Sequence, residues 1–184
     1  MITLLLGGAR SGKSAAAEQL ASALPAPVTY VATMDPRGDP DLEARVAAHR
    51  ARRDRNWKTV EAGDQLADVV ASLSGTVLVD SLGPWVARAG VRSLGTAPGT
   101  GLGTTGIDVG ALCDALRART GETVVVSDEV GLAVHPSSAE GLIFRDALGT
   151  VNRAVSAIAD AAYLVVAGRA LALPPPGLFP EVLT

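Results

Sequence analysis

The sequence predicts an α/β fold: a mainly parallel sheet with helices on both faces. Three observations lead there. Short β-branched runs recur along the chain, Ala-rich stretches with helical spacing lie between them, and the runs are continuously apolar rather than alternating. Strands buried on both faces read in this way, and alternation with helices is the pattern of a parallel sheet. With 184 residues, 48% of them hydrophobic, the chain can bury one substantial core, so one domain over 1–184 is expected.

The first strand is expected at Ile2 to Leu6. It runs into Gly7-Gly8-Ala9-Arg10-Ser11-Gly12-Lys13-Ser14, which has the form G-x-x-x-x-G-K-[ST]. A helix-prone stretch follows, Lys13 to Leu24, so the motif stands in the strand, loop, helix context that a phosphate-binding loop requires. Glycines let the backbone turn its N–H groups around phosphates, and the positive end of the following helix adds attraction. Lys13 supplies a mobile cation for the β- and γ-phosphates, and the Ser14 hydroxyl is a ligand for Mg²⁺. The class that follows is a P-loop NTPase, RecA-like, binding a nucleoside triphosphate.

Further strands are expected at Val28 to Ala32, Thr76 to Val79, Thr123 to Ser127 and Tyr163 to Ala167, with a weaker one at Lys58 to Glu61. Between them the spacing predicts helices at Pro40 to Asp54, Asp64 to Leu73, Val109 to Arg119 and Glu140 to Asp160. Ser93 to Gly106, rich in Gly and Thr, reads as a mobile loop. Pro174-Pro175-Pro176-Gly177 opens a tail, to Thr184, that can continue neither a helix nor a central strand.

Ligands of such sheets collect at the carboxyl ends of the strands, and carboxylates stand there. Asp80 closes Val77-Leu78-Val79, where a P-loop protein places an acid that meets the Mg²⁺ shell or orients a nucleophile; a helix N-cap is the competing reading. Asp128 and Glu129 close Val124-Val125-Val126-Ser127. Two adjacent carboxylates beside a triphosphate are costly without a compensating cation, so they mark a site or else a solvated turn.

The segment from Asp41 to Arg53 repeats Leu42, Val46, His49 and Arg53 at spacings of four, three and four, which puts His49 on the inward stripe. Arg45 and Arg52 flank it. Neighbouring cations favour neutral imidazole, the form able to attack phosphorus, though a structural His on a basic helix fits the same spacing. His135 precedes Pro136 in an expected loop with nothing comparable around it.

Composition narrows the class further. A net charge of −3 and a pI of about 5.3 argue against a general nucleic-acid binder. Cys113 is the only cysteine, which excludes an internal disulfide and a cysteine metal cluster. The first strand begins at residue 2 and leaves no room for a signal peptide, and the late apolar stretch Ala161 to Leu173 is interrupted by Gly168 and Arg169. A cytoplasmic protein without a membrane span is expected.

Taken together, the motifs resemble the bifunctional adenosylcobinamide kinase and adenosylcobinamide-phosphate guanylyltransferase family of cobalamin biosynthesis. The resemblance runs through residues 7–14, Y-V-A-T at 30–33, A-R-V-A-A-H-R at 44–50, W-K-T-V-E at 57–61, V-L-V-D-S-L at 77–82, D-E-V-G at 128–131, F-R-D-A-L-G-T-V-N at 144–152 and A-D-A-A-Y-L-V-V-A-G at 159–168. It implies two transfers at one phosphate loop. ATP or GTP phosphorylates the aminopropanol hydroxyl of adenosylcobinamide, and His49 takes GMP from GTP before passing it to adenosylcobinamide phosphate.

The resemblance also implies nucleotide contacts at Ala32, Thr33 and Met34, at Arg50, Ala51, Arg52 and Arg53, and at Glu61 and Asp80, and it implies a homotrimer or a pair of trimers. One departure is Asp128, where the family usually has Asn; a smaller one is His135, at a commonly apolar position. The added charge leaves room for a guanylyltransferase with a vestigial kinase step. A non-catalytic RecA-like nucleotide-binding subunit is the reading from another class.

Overall fold

The computed structural model describes residues 1–35, 38–93, 107–132 and 134–177. Seven strands form one sheet: β1 (Ile2–Gly7), β2 (Val28–Ala32), β3 (Lys58–Glu61), β4 (Thr76–Asp80), β5 (Thr123–Asp128), β6 (Ala161–Val166) and β7 (Arg169–Leu173). Their order is β3-β2-β4-β5-β1-β6-β7. The first six are mutually parallel and β7 pairs antiparallel with β6.

Helices α1 (Lys13–Ser22), α2 (Pro40–Arg52), α3 (Leu66–Ser72), α4 (Leu82–Ser93), α5 (Val109–Ala118) and α6 (Ala139–Ser156) fill the connections. One sheet face packs on Leu66 and Val70 of α3, Trp85 and Val86 of α4, Leu112 and Leu116 of α5, and Val151 and Val155 of α6. The other face packs on Ala17 and Ala21 of α1, with Trp57 alongside. Leu4, Leu66, Leu78 and Leu112 are among the fully buried side chains, and truncating one such leucine to alanine typically costs about 2–5 kcal/mol.

Local signals explain the helix starts. Asp108 accepts from the Ala111 amide at 2.7 Å and Ser138 from the Gly141 amide at 3.1 Å, so both late helices begin on a side-chain cap. At the end of α5, Arg119 donates to the carbonyls of Val70, Leu73 and Gly75 and to Thr123 Oγ1, tying the end of α3 to the α5–β5 turn.

Two elements differ from the sequence expectation. Leu82 to Ser93 is a helix, although Gly83-Pro84 reads as a breaker; Pro84 falls in the first turn, where its missing N–H would have no helical partner anyway. Arg169 to Leu173 is a strand rather than the end of an apolar run. Ala167 and Gly168 take positive φ values of 51° and 76°, the two-residue turn that matches strand twist, so the chain folds back as a hairpin. The expected loop continues outside the described residues at 94–106, as does the tail at 178–184.

The parallel register brings the functional tips level. Gly7 lies opposite Asp128, and Ala32 lies opposite both Asp80 and Glu61.

Candidate active site

At these tips the chain leaves β1 and turns into α1 through the Gly7–Ser14 loop. Arg10 and Gly12 adopt left-handed φ values of 57° and 93°. Such residues among right-handed ones gather backbone N–H groups into an anion-binding concavity. The loop is braced from behind, since Gly168 of the hairpin turn donates to the Ser11 carbonyl at 2.8 Å. A Cβ on Gly12 would also come within 3.3 Å of Gly168 Cα, so the positive φ and the close approach both call for glycine.

Lys13 is 9% exposed. Its Nζ lies 2.6 Å from Asp128 Oδ1 and donates to the Gly8 carbonyl at 3.2 Å. Asp128 can reach it because position 83 is glycine: a Cβ there would lie 2.6 Å from Asp128 Oδ2. That oxygen therefore sits beside the first turn of α4, the helix end that favours negative charge. Behind the strand, Asn152 Nδ2 donates to the Asp128 carbonyl at 3.0 Å while its Oδ1 accepts from Ser127 Oγ at 2.6 Å. Glu129 turns away, its carboxylate accepting from the Gly131 amide at 2.7 Å, so of the adjacent pair only Asp128 faces the phosphate loop.

Ser14 Oγ donates to Asp80 Oδ1 at 3.2 Å, and Tyr30 Oη donates to Asp80 Oδ2 at 2.8 Å. Burial and the Asp80 charge hold the Tyr30 phenol well above its ordinary range, so it stays a donor. Ser14 and Asp80 present two hard oxygens beside the phosphate loop. Mg²⁺ is usually bound by one or two carboxylates together with substrate phosphates, and this donor set fits that demand. Among the described residues no cluster of three or more His, Cys, Asp or Glu could hold a metal by itself.

One cleft collects Lys13, Ser14, Tyr30, Ala32 and Met34, then Val46, Arg50 and Arg53 from α2 and its end, and Glu61, Asp80 and Asp128 from the strand tips. Across its mouth Arg50 Nη2 lies 3.5 Å from Glu61 Oε1 with both side chains exposed, a pair of little energetic weight. Arg53 lies over the Tyr30 ring, its guanidinium carbon 3.1 Å from the ring centre. Thr33 points elsewhere: across the cis Asp80–Ser81 peptide its Oγ1 donates to the Ser81 carbonyl and accepts from the Ser81 amide at 3.1 Å. It borders a neighbouring recess that shares Ala32, Met34 and Glu61 with the cleft and is flanked by Arg88.

Ala9 and Ala51 are exposed and do not line the cleft. Residue 49 lies on the α2 backbone, but the side chains of His49, Arg45 and Arg52 are outside the described residues. His135 is on the surface, 3.1 Å from Arg145, away from the cleft.

Sequence reasoning missed Tyr30, Asn152 and Gly83. The first had one signal, a hydroxyl in an apolar strand; Asn152 had another, a polar residue on the apolar Leu148, Val151, Val155 stripe. Gly83 had none, because its reason is a contact with a residue far along the chain.

The Lys13–Asp128 pair carries a prediction. An anionic nucleotide competes with Asp128 for the same cation, so Asp128→Asn is expected to tighten binding of nucleotide without Mg²⁺ about five-fold, the equivalent of about 1 kcal/mol for a partly exposed pair. Titration with a fluorescent ATP analogue in EDTA checks this. Weaker binding, or a raised Mg²⁺ requirement as the only effect, would instead place Asp128 in the metal shell.

Comparison with known proteins agrees with this geometry. Residues 3–173 match the family described as cobinamide kinase / cobinamide phosphate guanyltransferase. A bifunctional adenosylcobalamin biosynthesis protein of Pseudomonas aeruginosa is 34% identical over 171 residues, covering 91% of this chain and 94% of the relative. Its Escherichia coli counterpart is 30% identical over 188 residues, covering 91% and 97%. Among solved structures, the type III secretion ATPase EscN of enteropathogenic E. coli superposes with a TM-score of 0.58 at 12% identity, covering 90% of this chain and 43% of EscN. That likeness shows the P-loop ATPase fold alone. No helix among the described residues is long and apolar enough to cross a membrane. The phosphate loop, the level row of acidic strand tips and the match across nearly the whole sheet lead to one assignment: this chain belongs to the cobinamide kinase / cobinamide phosphate guanyltransferase family of cobalamin biosynthesis enzymes.

Proposed function

We propose that this chain, as a single nucleotide-binding domain, carries out both transfers of its family on adenosylcobinamide with ATP or GTP. The observation that carries the reading is one cleft with two walls. The phosphate loop, with Lys13, Ser14 and Asp80, faces Arg50 and Arg53 from the helix that bears residue 49.

In the first transfer the substrate hydroxyl oxygen bonds to the γ-phosphorus, its proton is released to solvent, and the bridging oxygen leaves with the nucleoside diphosphate. Lys13 and the loop amides stabilise charge on the transferring group. Mg²⁺, held by Ser14, Asp80 and phosphate oxygens, would supply further charge neutralisation.

In the second, an imidazole nitrogen of His49 bonds to the α-phosphorus of GTP and pyrophosphate leaves. A phosphate oxygen of adenosylcobinamide phosphate then bonds to that phosphorus, the N–P bond breaks, and adenosylcobinamide-GDP is released. Helical spacing supports the role: residue 49 is three positions from Val46 and four from Arg53, both of which line the cleft. On this reading Ala32, Met34, Glu61 and the neighbouring recess receive the guanosine end. The enzyme works in the cytoplasm as a homotrimer or a pair of trimers.

Incubation with Mg²⁺ and GTP labelled at either the α- or the γ-phosphate tests the covalent route. Only the α-label is expected to stay on denatured protein, to be lost in acid and to survive base, as a phosphoramidate does. Guanylyl transfer without any labelled protein would establish direct transfer instead.

A further inference from the structure

Tyr30 and Arg53 touch each other in a way that lining the cleft does not by itself explain. Tyr30 is 3% exposed, in the middle of β2, yet its hydroxyl reaches the cleft and donates to Asp80 Oδ2 at 2.8 Å. Asp80 in turn accepts from Ser14 Oγ through its other oxygen, at 3.2 Å. On the face of the same ring lies the Arg53 guanidinium, 3.1 Å from the centre, with its side chain 7% exposed and its Nε 4.0 Å from Glu18 Oε1 of α1. Arg53 directly follows the last residue of α2. One aromatic side chain therefore touches the acidic end of the metal-side pair with its edge and the root of the α2 arm with its face.

The physics suits a fixed joint. A guanidinium over a ring and away from water is held by cation–π attraction and by the ring's apolar area. A phenol that donates to a carboxylate selects one carboxylate rotamer, because a charge-assisted hydrogen bond is short and directional. Among the described side chains of α2, Glu43, Ala44, Ala47, Arg50 and Ala51 are exposed, Val46 is half-buried, and the Arg50–Glu61 contact is a surface pair. The stacked Arg53 is the mostly buried charged anchor at the end of this helix.

We infer that Tyr30 and Arg53 are positioning residues: the Tyr30 hydroxyl sets the Asp80 carboxylate for the Ser14-side cation, and the Arg53 stack sets the α2 arm over the cleft. The inference rests on the proposed function for the role of the arm, but not for the Asp80 half.

The two halves separate by substitution. Tyr30→Phe keeps the ring and the stack and removes only the hydrogen bond. It is expected to raise the Mg²⁺ concentration for half-maximal kinase activity about three- to ten-fold, the size of one hydrogen bond's typical net contribution. The same shift should appear in Mg²⁺-dependent binding of a fluorescent nucleotide, which needs no corrinoid and no protein adduct. Arg53→Met removes the stack and keeps the hydroxyl. It is expected to slow self-labelling by α-labelled GTP at least ten-fold more than it slows kinase turnover, and Arg53→Lys, which restores a cation over the ring, should recover part of the loss.

Thermal melting of each variant checks that the fold is retained. An unmoved Mg²⁺ curve in Tyr30→Phe overturns the Asp80 half. Equal losses of both activities in Arg53→Met overturn the arm half and make Arg53 a direct phosphate contact. If the wild-type protein forms no adduct, the proposed covalent route fails, while the Mg²⁺ shift in Tyr30→Phe still decides the Asp80 half.

Discussion

Replacing Lys13 with alanine is expected to lower both phosphoryl and guanylyl transfer by about two to three orders of magnitude or more. On the proposed function both reactions need the triphosphate held at the same loop, and both build negative charge where this ammonium stands. Its Nζ is held by the Gly8 carbonyl and Asp128. The substitution also leaves the Asp128 carboxylate without that partner, which by itself costs stability. The double variant Lys13→Ala, Asp128→Asn removes the stranded charge and separates folding from chemistry. Both activities should stay low in it at saturating nucleotide, while the melting temperature recovers. Near-normal turnover of either reaction would show that the loop is not the nucleotide site of that reaction.

His49→Ala is expected to split the two activities. Labelling of the protein by α-labelled GTP should vanish and guanylyl transfer should drop to background, because the proposed acceptor atom is gone. Kinase turnover should fall far less, since transfer to a bound hydroxyl depends on positioning and charge stabilisation rather than on an enzyme nucleophile. Quantifying both on one preparation, with labelled GTP and a corrinoid product assay, provides the check. A variant that still takes up the α-label would move the acceptor to another residue.

What could be read from the sequence was what is local. The phosphate loop is contiguous, and its flanking strand and helix show themselves by apolar run and Ala-rich spacing. Asp80 and Asp128 were legible as ends of buried strands, because a parallel sheet collects such ends on one edge. Which of the two carboxylates at 128 and 129 faces inward was not legible. It depends on a turn in which Glu129 bonds to the Gly131 amide, and on glycine at position 83, part of a helix whose opening Gly-Pro conceals it. Strand β7 was hidden for a similar reason, since its reversal at Ala167-Gly168 lacks the Asn-Gly or Asp-Gly signature of such turns. Tyr30 and Asn152 could be suspected from polar atoms at apolar positions, but their partners could be identified only once the strands were in register.

The place of β1 in the sheet also governs when a nucleotide site can exist during synthesis. Its neighbours begin only at Thr123 and Ala161, and the amide that braces Ser11 belongs to Gly168. Pairings over such spans form late compared with local helices. On the ribosome, Ile2 to Leu6 is therefore expected to lack a strand partner until β5 has emerged, and the phosphate loop to lack its brace until Gly168 has. A nucleotide stabilises whatever form binds it, and a loop braced by Gly168 is expected to bind one only once that hairpin has formed. Nucleotide is therefore expected to draw the last folding step forward without rescuing a chain arrested earlier, whose uncovered first strand would be exposed to chaperones and proteases.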